Sequence, residues 1–268
     1  MTVPRRLRWL RAAAITAVAL LTLYVAACSL ARLAVFPAPK TFQTGKPASG
    51  ELLEVKTPDG FVAHAYYWPA APGKRTVAHF HGNAAVIHEG DERAGALRSR
   101  GLGVVLIEYR GYGISGGTSP SEEGLYTDAA AVLDALAARG VGAATMVLYG
   151  TSIGTGVASE MAKRGKGSAL VLVTPFTSLP AVGARFAPFL PISLIVRDKF
   201  DTLSKAPAIH LPTLVVHGTA DEVVPYDMGV TVAKALDGTL ITVPGGGHND
   251  LFDVDASLLG RICDFAAK

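Results

Sequence analysis

Residues 146–156 read Met-Val-Leu-Tyr-Gly-Thr-Ser-Ile-Gly-Thr-Gly. The first four are a short apolar run, which predicts a buried strand. Gly150-Thr151-Ser152-Ile153-Gly154 follows at once, and a helix-compatible segment runs on to Lys163. Strand, tight turn and helix are the context that a G-x-S-x-G nucleophile elbow needs. The turn forces the serine into a strained backbone geometry, where side chains two residues to either side would clash. That strain lifts the Ser152 hydroxyl clear of the sheet edge. The pattern alone is weak, since chance gives on the order of 0.1–0.2 matches over such a chain. A second match, Gly113-Ile114-Ser115-Gly116-Gly117, also follows an apolar run. It leads into Thr118-Ser119-Pro120, which stops a helix, so Ser115 reads as loop.

Outward from this stretch, residues 51–57 and 61–68 flank Pro58-Asp59-Gly60 as a hairpin. Further strands are expected at 76–81, 104–109, 169–174, 213–217 and 239–243. Helices are expected at 89–100, 121–139, 226–236 and 251–267, with Ser121 capping the second of these. Strands alternating with helices after a starting hairpin predict an α/β fold, with a mostly parallel sheet of eight strands covered on both faces. Residues 175–210 hold five prolines and an apolar group with Phe186, Phe189, Leu190 and Ile192. That is too long for a plain loop and reads as a small cap over the carboxyl edge of the sheet. Residues 110–120, RGYGISGGTSP, have no lysine or helix start to cradle a phosphate and read as a structural turn.

A serine nucleophile needs a base, and the base an orienting acid. Ligands in open α/β sheets sit at the carboxyl ends of the strands. Two strand ends deliver polar residues there: His217-Gly218-Thr219-Ala220-Asp221 and Pro244-Gly245-Gly246-Gly247-His248. Asp221 can fix the tautomer of His248, which can take the Ser152 proton and return it to a leaving group. The order serine, aspartate, histidine is the one α/β-hydrolases use. Asp221 or Glu222 could equally be loop residues, and Asp227 and Asp250 read as helix caps. For the oxyanion, one N–H comes from Ile153 and a second from the loop after residues 76–81, with Asn83 the candidate and Ala84 the neighbour alternative. His81 reads as holding that loop and His217 as bracing its turn. His64 and His79 fall inside strands, and His88 and His210 have no recognisable partner.

The chain's net charge is +3, but Arg5, Arg6, Arg8 and Arg11 precede the first apolar run, and without those four it is −1. The basic balance belongs to the tail, which excludes a nucleic-acid-binding surface. Cys28 and Cys263 form neither a zinc spacing nor a disulfide framework. Residues 1–36 read as a membrane anchor or a signal segment, followed by a linker at 37–50 and the domain at 51–268. Extended to Phe36, the apolar run can span a bilayer, with the basic flank inside and the domain on the extracytoplasmic side. Alternatively Val25-Ala26-Ala27-Cys28 resembles a bacterial lipobox, which implies cleavage before Cys28 and a lipid on it.

FHGNAAV at 80–86, YRGYGISGGTSPSEEGLYTDA at 109–129, YGTSIGTGVA at 149–158, HGTADEVVP at 217–225 and GGGHNDLF at 245–252 together resemble α/β-hydrolases of the membrane-anchored ABHD and bud-emergence group. The resemblance implies a serine hydrolase with Ser152, Asp221 and His248 as its triad and no cofactor. It implies action on carboxylic esters, thioesters or lipids, with peptidases among the relatives. HGNAAV differs from the more usual HGNAGN form. The rival functions are a peptidase or acyltransferase on the same fold, and a non-catalytic membrane-tethered binding module.

Overall fold

The computed structural model describes residues 5–38, 47, 49–87 and 92–268. Most of the expected linker, His88 and the first residues of the helix expected from 89 lie outside the described residues. Eight strands form one sheet: β1 (Glu51–Lys56), β2 (Val62–Trp68), β3 (Thr76–Phe80), β4 (Gly103–Glu108), β5 (Met146–Thr151), β6 (Ala169–Val173), β7 (Thr213–Gly218) and β8 (Thr239–Val243). Their order is β1-β2-β4-β3-β5-β6-β7-β8. β2 runs antiparallel to both neighbours, and all other pairs are parallel.

The helices are α1 (Arg5–Val35), α2 (Glu92–Ser99), α3 (Glu122–Ala138), α4 (Ile153–Lys163), α5 (Leu179–Phe186), α6 (Ile192–Ile195), α7 (Thr202–Lys205), α8 (Tyr226–Ala235), α9 (Leu251–Val254) and α10 (Leu258–Ala266). β3, β4, β6 and β7 are buried along their whole length, as near-continuous apolar strands covered on both faces must be. Successive residues of each strand point to opposite faces. Phe80, Ile107, Leu148 and Val215 therefore pack with Leu125, Val157 and Val232 of α3, α4 and α8. Val77, Leu106, Val147 and Val171 pack with Leu97 of α2 and Leu258 and Ile262 of α10 on the other side.

After β3 the chain moves to β4 on one side of β3, and later to β5 on its other side. The strand order reverses there, and a crevice opens beyond the carboxyl ends of β3 and β5. The loop after β3 and the turn after β5 thus meet across a gap that connectivity alone creates.

Ser121 caps α3 by accepting from the Gly124 amide at 3.1 Å. Two other expectations change. The single helix expected over 251–267 is two, because the Asp255 carboxylate accepts from the Ser257 amide at 3.0 Å and breaks the run between α9 and α10. Asp227 and Asp250 make no side-chain cap; Asp227 pairs with Arg185 at 2.7 Å and Asp250 accepts from the Gly247 amide at 2.6 Å.

Residues 9–35 of α1 are long and apolar enough to cross a membrane. The end of α1 is tied to the domain. Phe36 is buried and meets the Phe200 ring edge-on at 6.2 Å between centroids. Residues 175–210 carry α5, α6 and α7, with Ser178 capping α5 and Asp201 capping α7. Phe189 is 98% exposed, and Phe186, Leu190 and Leu194 are also exposed, so the tip of this region does not pack onto the sheet. Phe36→Ala opens a cavity beside Phe200 and is expected to cost about 3 kcal/mol. Thermal unfolding of the full chain in detergent checks this, with a fall in Tm on the order of 10 °C.

Candidate active site

Ser152 joins β5 to α4 at φ 51° and ψ −119°, a left-handed conformation that a non-glycine residue rarely adopts. Three hydrogen bonds hold it there. Its amide donates to the Val173 carbonyl at 2.9 Å, and its carbonyl accepts from the Thr155 amide at 2.9 Å and hydroxyl at 2.6 Å. The flanking glycines are required by close approach. A Cβ on Gly154 would lie 2.1 Å from the Phe80 carbonyl oxygen, and one on Gly150 would lie 2.4 Å from the Gly154 carbonyl oxygen.

Ser152 Oγ lies 3.0 Å from His248 Nε2, and His248 Nδ1 lies 2.8 Å from Asp221 Oδ2. A carboxylate only accepts, so Nδ1 carries the proton and Nε2 is left to accept from the serine hydroxyl. Asp221 has no exposed side-chain surface. Its Oδ1 accepts from the Val223 and Val224 amides at 2.9 and 2.7 Å. Burial pushes this carboxyl up. Hydrogen bonds from His217, His248 and the Val224 amide outweigh burial and hold it well below the usual carboxylate range. His217 Nε2 faces two acceptors, the Val224 carbonyl at 2.9 Å and Asp221 Oδ2 at 3.3 Å, and so closes the turn that carries Asp221.

The loop after β3 passes over the serine. A Cβ on Gly82 would lie 3.6 Å from Ser152 Cβ. Asn83 follows, and its side chain is fully engaged. Nδ2 donates to the Val35 carbonyl at 2.5 Å, and Oδ1 accepts from Tyr112 Oη at 2.7 Å and the Ala84 amide at 3.2 Å. The group Asn83 can offer a substrate is its backbone amide. Ile153 begins α4, where an amide has no intrahelical carbonyl and the helix dipole favours negative charge. Ser152, His248, Gly82, Asn83 and Ile153 line one cleft of about 820 Å³. Its other wall is apolar and includes Phe176, Val182 and Phe186.

Other sequence candidates lie elsewhere. Ser115 is buried and its Oγ sits 3.0 Å from His64 Nδ1. His79 stacks on Tyr149. His81 is buried against the Tyr109 ring at 4.2 Å and lies 2.9 Å from Glu108 Oε1. That contact is too bent for a hydrogen bond. Among the described residues, no group of three or more His, Cys, Asp or Glu could hold a metal ion.

Sequence reasoning missed the supports. Glu108 is buried at the end of β4, and its Oε2 accepts from the Ile87 amide at 3.2 Å, at the far end of the Gly82 loop. The available signal was an acid closing an otherwise apolar strand. Arg110 spans the buried Asp128 at 2.7 Å and Asp59 at 2.6 Å. The glycine-rich turn that follows it takes positive φ at Gly111, Gly113 and Gly117.

A family profile described as "Serine aminopeptidase, S33" matches residues 71–200, and one described as "TAP-like protein" matches residues 196–265. An uncharacterized protein of Mycobacterium tuberculosis is 36% identical over 226 residues, covering 82% of this chain and 80% of the relative. Alpha/beta hydrolase domain-containing protein 17C of Xenopus tropicalis is 32% identical over 220 residues, covering 80% and 69%. The chain belongs to the α/β-hydrolase superfamily. An esterase of Pyrococcus furiosus shares this α/β-hydrolase fold at a TM-score of 0.69 and 17% identity, over 85% of this chain and 95% of the esterase. Hydrolysis is the class of activity that membership of this superfamily carries.

The lowered pKa of Asp221 has a consequence for folding. Its stabilising contribution is complete above the unfolded carboxylate pKa of about 4 and is lost as pH falls below that value. Asp221→Asn is therefore expected to be less stable than the parent at pH 7. Its Tm should also fall less between about pH 4 and pH 2, as followed by circular dichroism.

Proposed function

We propose that this α/β-hydrolase is a serine hydrolase that cleaves carboxylic esters or thioesters through an acyl-enzyme. The observation that carries this is the unbroken hydrogen-bonded row from Ser152 through His248 to Asp221, opening on an apolar cleft. Ser152 Oγ attacks the acyl carbonyl as its proton passes to His248 Nε2. Asp221 keeps the imidazole oriented and stabilises its positive charge. The Ile153 and Asn83 amides bind the oxyanion. Collapse breaks the bond to the alcohol or thiol, which leaves with the proton from His248. Water, giving a proton to the same nitrogen, then attacks the acylated serine. The second collapse releases the acid and restores the hydroxyl.

The apolar wall supports an acyl chain in the substrate. The exposed Phe186 and Phe189 suit a surface that handles such chains better than one that seals the domain. The apolar α1 behind a basic flank supports membrane attachment, as an uncleaved anchor or through a lipid on Cys28, with the domain on the extracytoplasmic side. A peptidase or acyltransferase reading of the same site draws support from the "Serine aminopeptidase" description of the matching profile. The complete row of three side chains speaks against a purely binding module.

A fluorophosphonate probe is expected to label Ser152. Ser152→Ala should abolish labelling and lower kcat on p-nitrophenyl esters by about 10⁴-fold or more. Folded wild-type protein that takes no label would favour the binding module. Faster turnover of amino-acid amides than of esters would favour the peptidase. Phe186→Ala with Phe189→Ala is expected to reduce the preference for long over short esters; an unchanged preference would remove the acyl-chain reading.

A further inference from the structure

Residues 31–36 follow Cys28, so they stay on the chain whether α1 is an uncleaved anchor or is cut before that cysteine. This end of α1 is held by the catalytic domain at three places, through Arg32, Val35 and Phe36, and in the uncleaved chain Tyr24 adds a fourth. Tyr24 Oη donates to the Leu194 carbonyl of α6 at 3.0 Å. Arg32 pairs at 3.4 Å with Asp198, which itself accepts from the Glu122 amide of α3 at 2.8 Å. The Val35 carbonyl, at a helix end where carbonyls lack intrahelical donors, accepts from Asn83 Nδ2. Phe36 is buried against Phe200. Between these attachments Ala31, Ala34 and Val35 line the cleft that holds Ser152, with Val182 and Ile192 among its other lining residues.

We propose that the last two turns of α1 form a substrate-binding wall of the catalytic cleft, where Ala31 and Ala34 set the room for an acyl chain drawn from the bilayer around the same helix. This rests on the hydrolase reading above. The two alanines give the wall only methyl groups, which leaves a slot between α1 and the α5–α6 region. Arg32, on the same turns of α1, is held by Asp198, and Arg93 is the charged side chain that lines the cleft. An alkyl chain in such a slot gains by leaving water. Higher on α1, Leu20 and Leu23 are exposed, as are Leu30 and Leu33 on its last two turns and Phe189 and Leu194 at the α5–α6 tip. In the uncleaved chain the Tyr24–Leu194 bond makes these two apolar surfaces neighbours. A membrane lipid therefore meets the cleft without its acyl chain crossing water.

The full chain in lipid nanodiscs, assayed with p-nitrophenyl esters from acetate to palmitate, tests this. Ala31→Leu and Ala34→Leu are each expected to lower the palmitate-to-acetate ratio of kcat/KM at least tenfold. Ile15→Ala, on the outward part of the same helix and outside that surface, should leave that ratio unchanged. Equal loss at every chain length would mean that α1 only holds Asn83 in place, and an unchanged profile would mean that the substrate does not meet α1; either overturns the proposal. Wild-type protein that neither turns over these esters nor takes fluorophosphonate at Ser152 would refute the hydrolase reading instead. The wall is then read with a dodecanoate bearing a terminal diazirine. It is expected to label the peptide holding the buried Phe176, and to label it several-fold less in Ala31→Leu. Absence of that label in the wild type overturns the wall.

Discussion

The site depends on one strained residue held where two backbones nearly touch. A left-handed Ser152 costs on the order of 1–3 kcal/mol, and it persists only because its surroundings over-determine it. Those surroundings are the Val173 carbonyl of the next strand and both donors of Thr155 one turn later. Glycines at 150 and 154 allow α4 to start directly against the end of β3. Any side chain there would push the helix outward and carry the serine away from His248. The strain therefore fixes where a nucleophile can stand, and the positions of the other groups follow from it.

A ring of buried polar contacts supports the groups that face the serine. Glu108 reaches from β4 to His81 and to the Ile87 amide, two points either side of the Gly82-Asn83 turn that passes over Ser152. Tyr109 Oη donates to the His81 carbonyl at 3.1 Å, and Tyr112 holds Asn83. Arg110 fastens the following turn to Asp128 and Asp59. His217 does the same for the turn that carries Asp221. Buried polar contacts of this kind add little net stability, because desolvation offsets their attraction. Their effect is geometric, since a loop tied at several points to strand termini has few other places to go.

The amino-terminal helix joins the same ring. Its last carbonyl accepts from the side-chain amide of Asn83, while Phe36 enters the core beside Phe200. A segment that by composition suits a membrane is thus mechanically continuous with the loop beside the nucleophile. The exposed apolar tip of the α5–α6 region lies next to it, bonded through Tyr24. The cleft is bounded on one side by polar groups fixed to the sheet, and on the other by two apolar elements that the sheet does not hold.

The alternation of strands with helices, the elbow at Ser152, the turns carrying Asp221 and His248, and the apolar run of α1 could all be read from the chain. Each is a short-range property: a period, a turn residue, or a polar group just past a strand. The histidines at 81 and 217 could be read as braces for the same reason, because each begins a turn at a strand end. The break at Asp255 escaped notice because a side-chain bond across two residues overrides an otherwise helical pattern. Glu108 and the end of α1 escaped for a different reason. Their partners are set by strand order and by how loops from distant strands meet, which no local period encodes. The sequence by itself determined which elements form and which residues stand at their carboxyl ends. Only the tertiary structure decided that Ser152, His248 and Asp221 share one row and that α1 walls their cleft, because those contacts depend on where the order of parallel strands reverses.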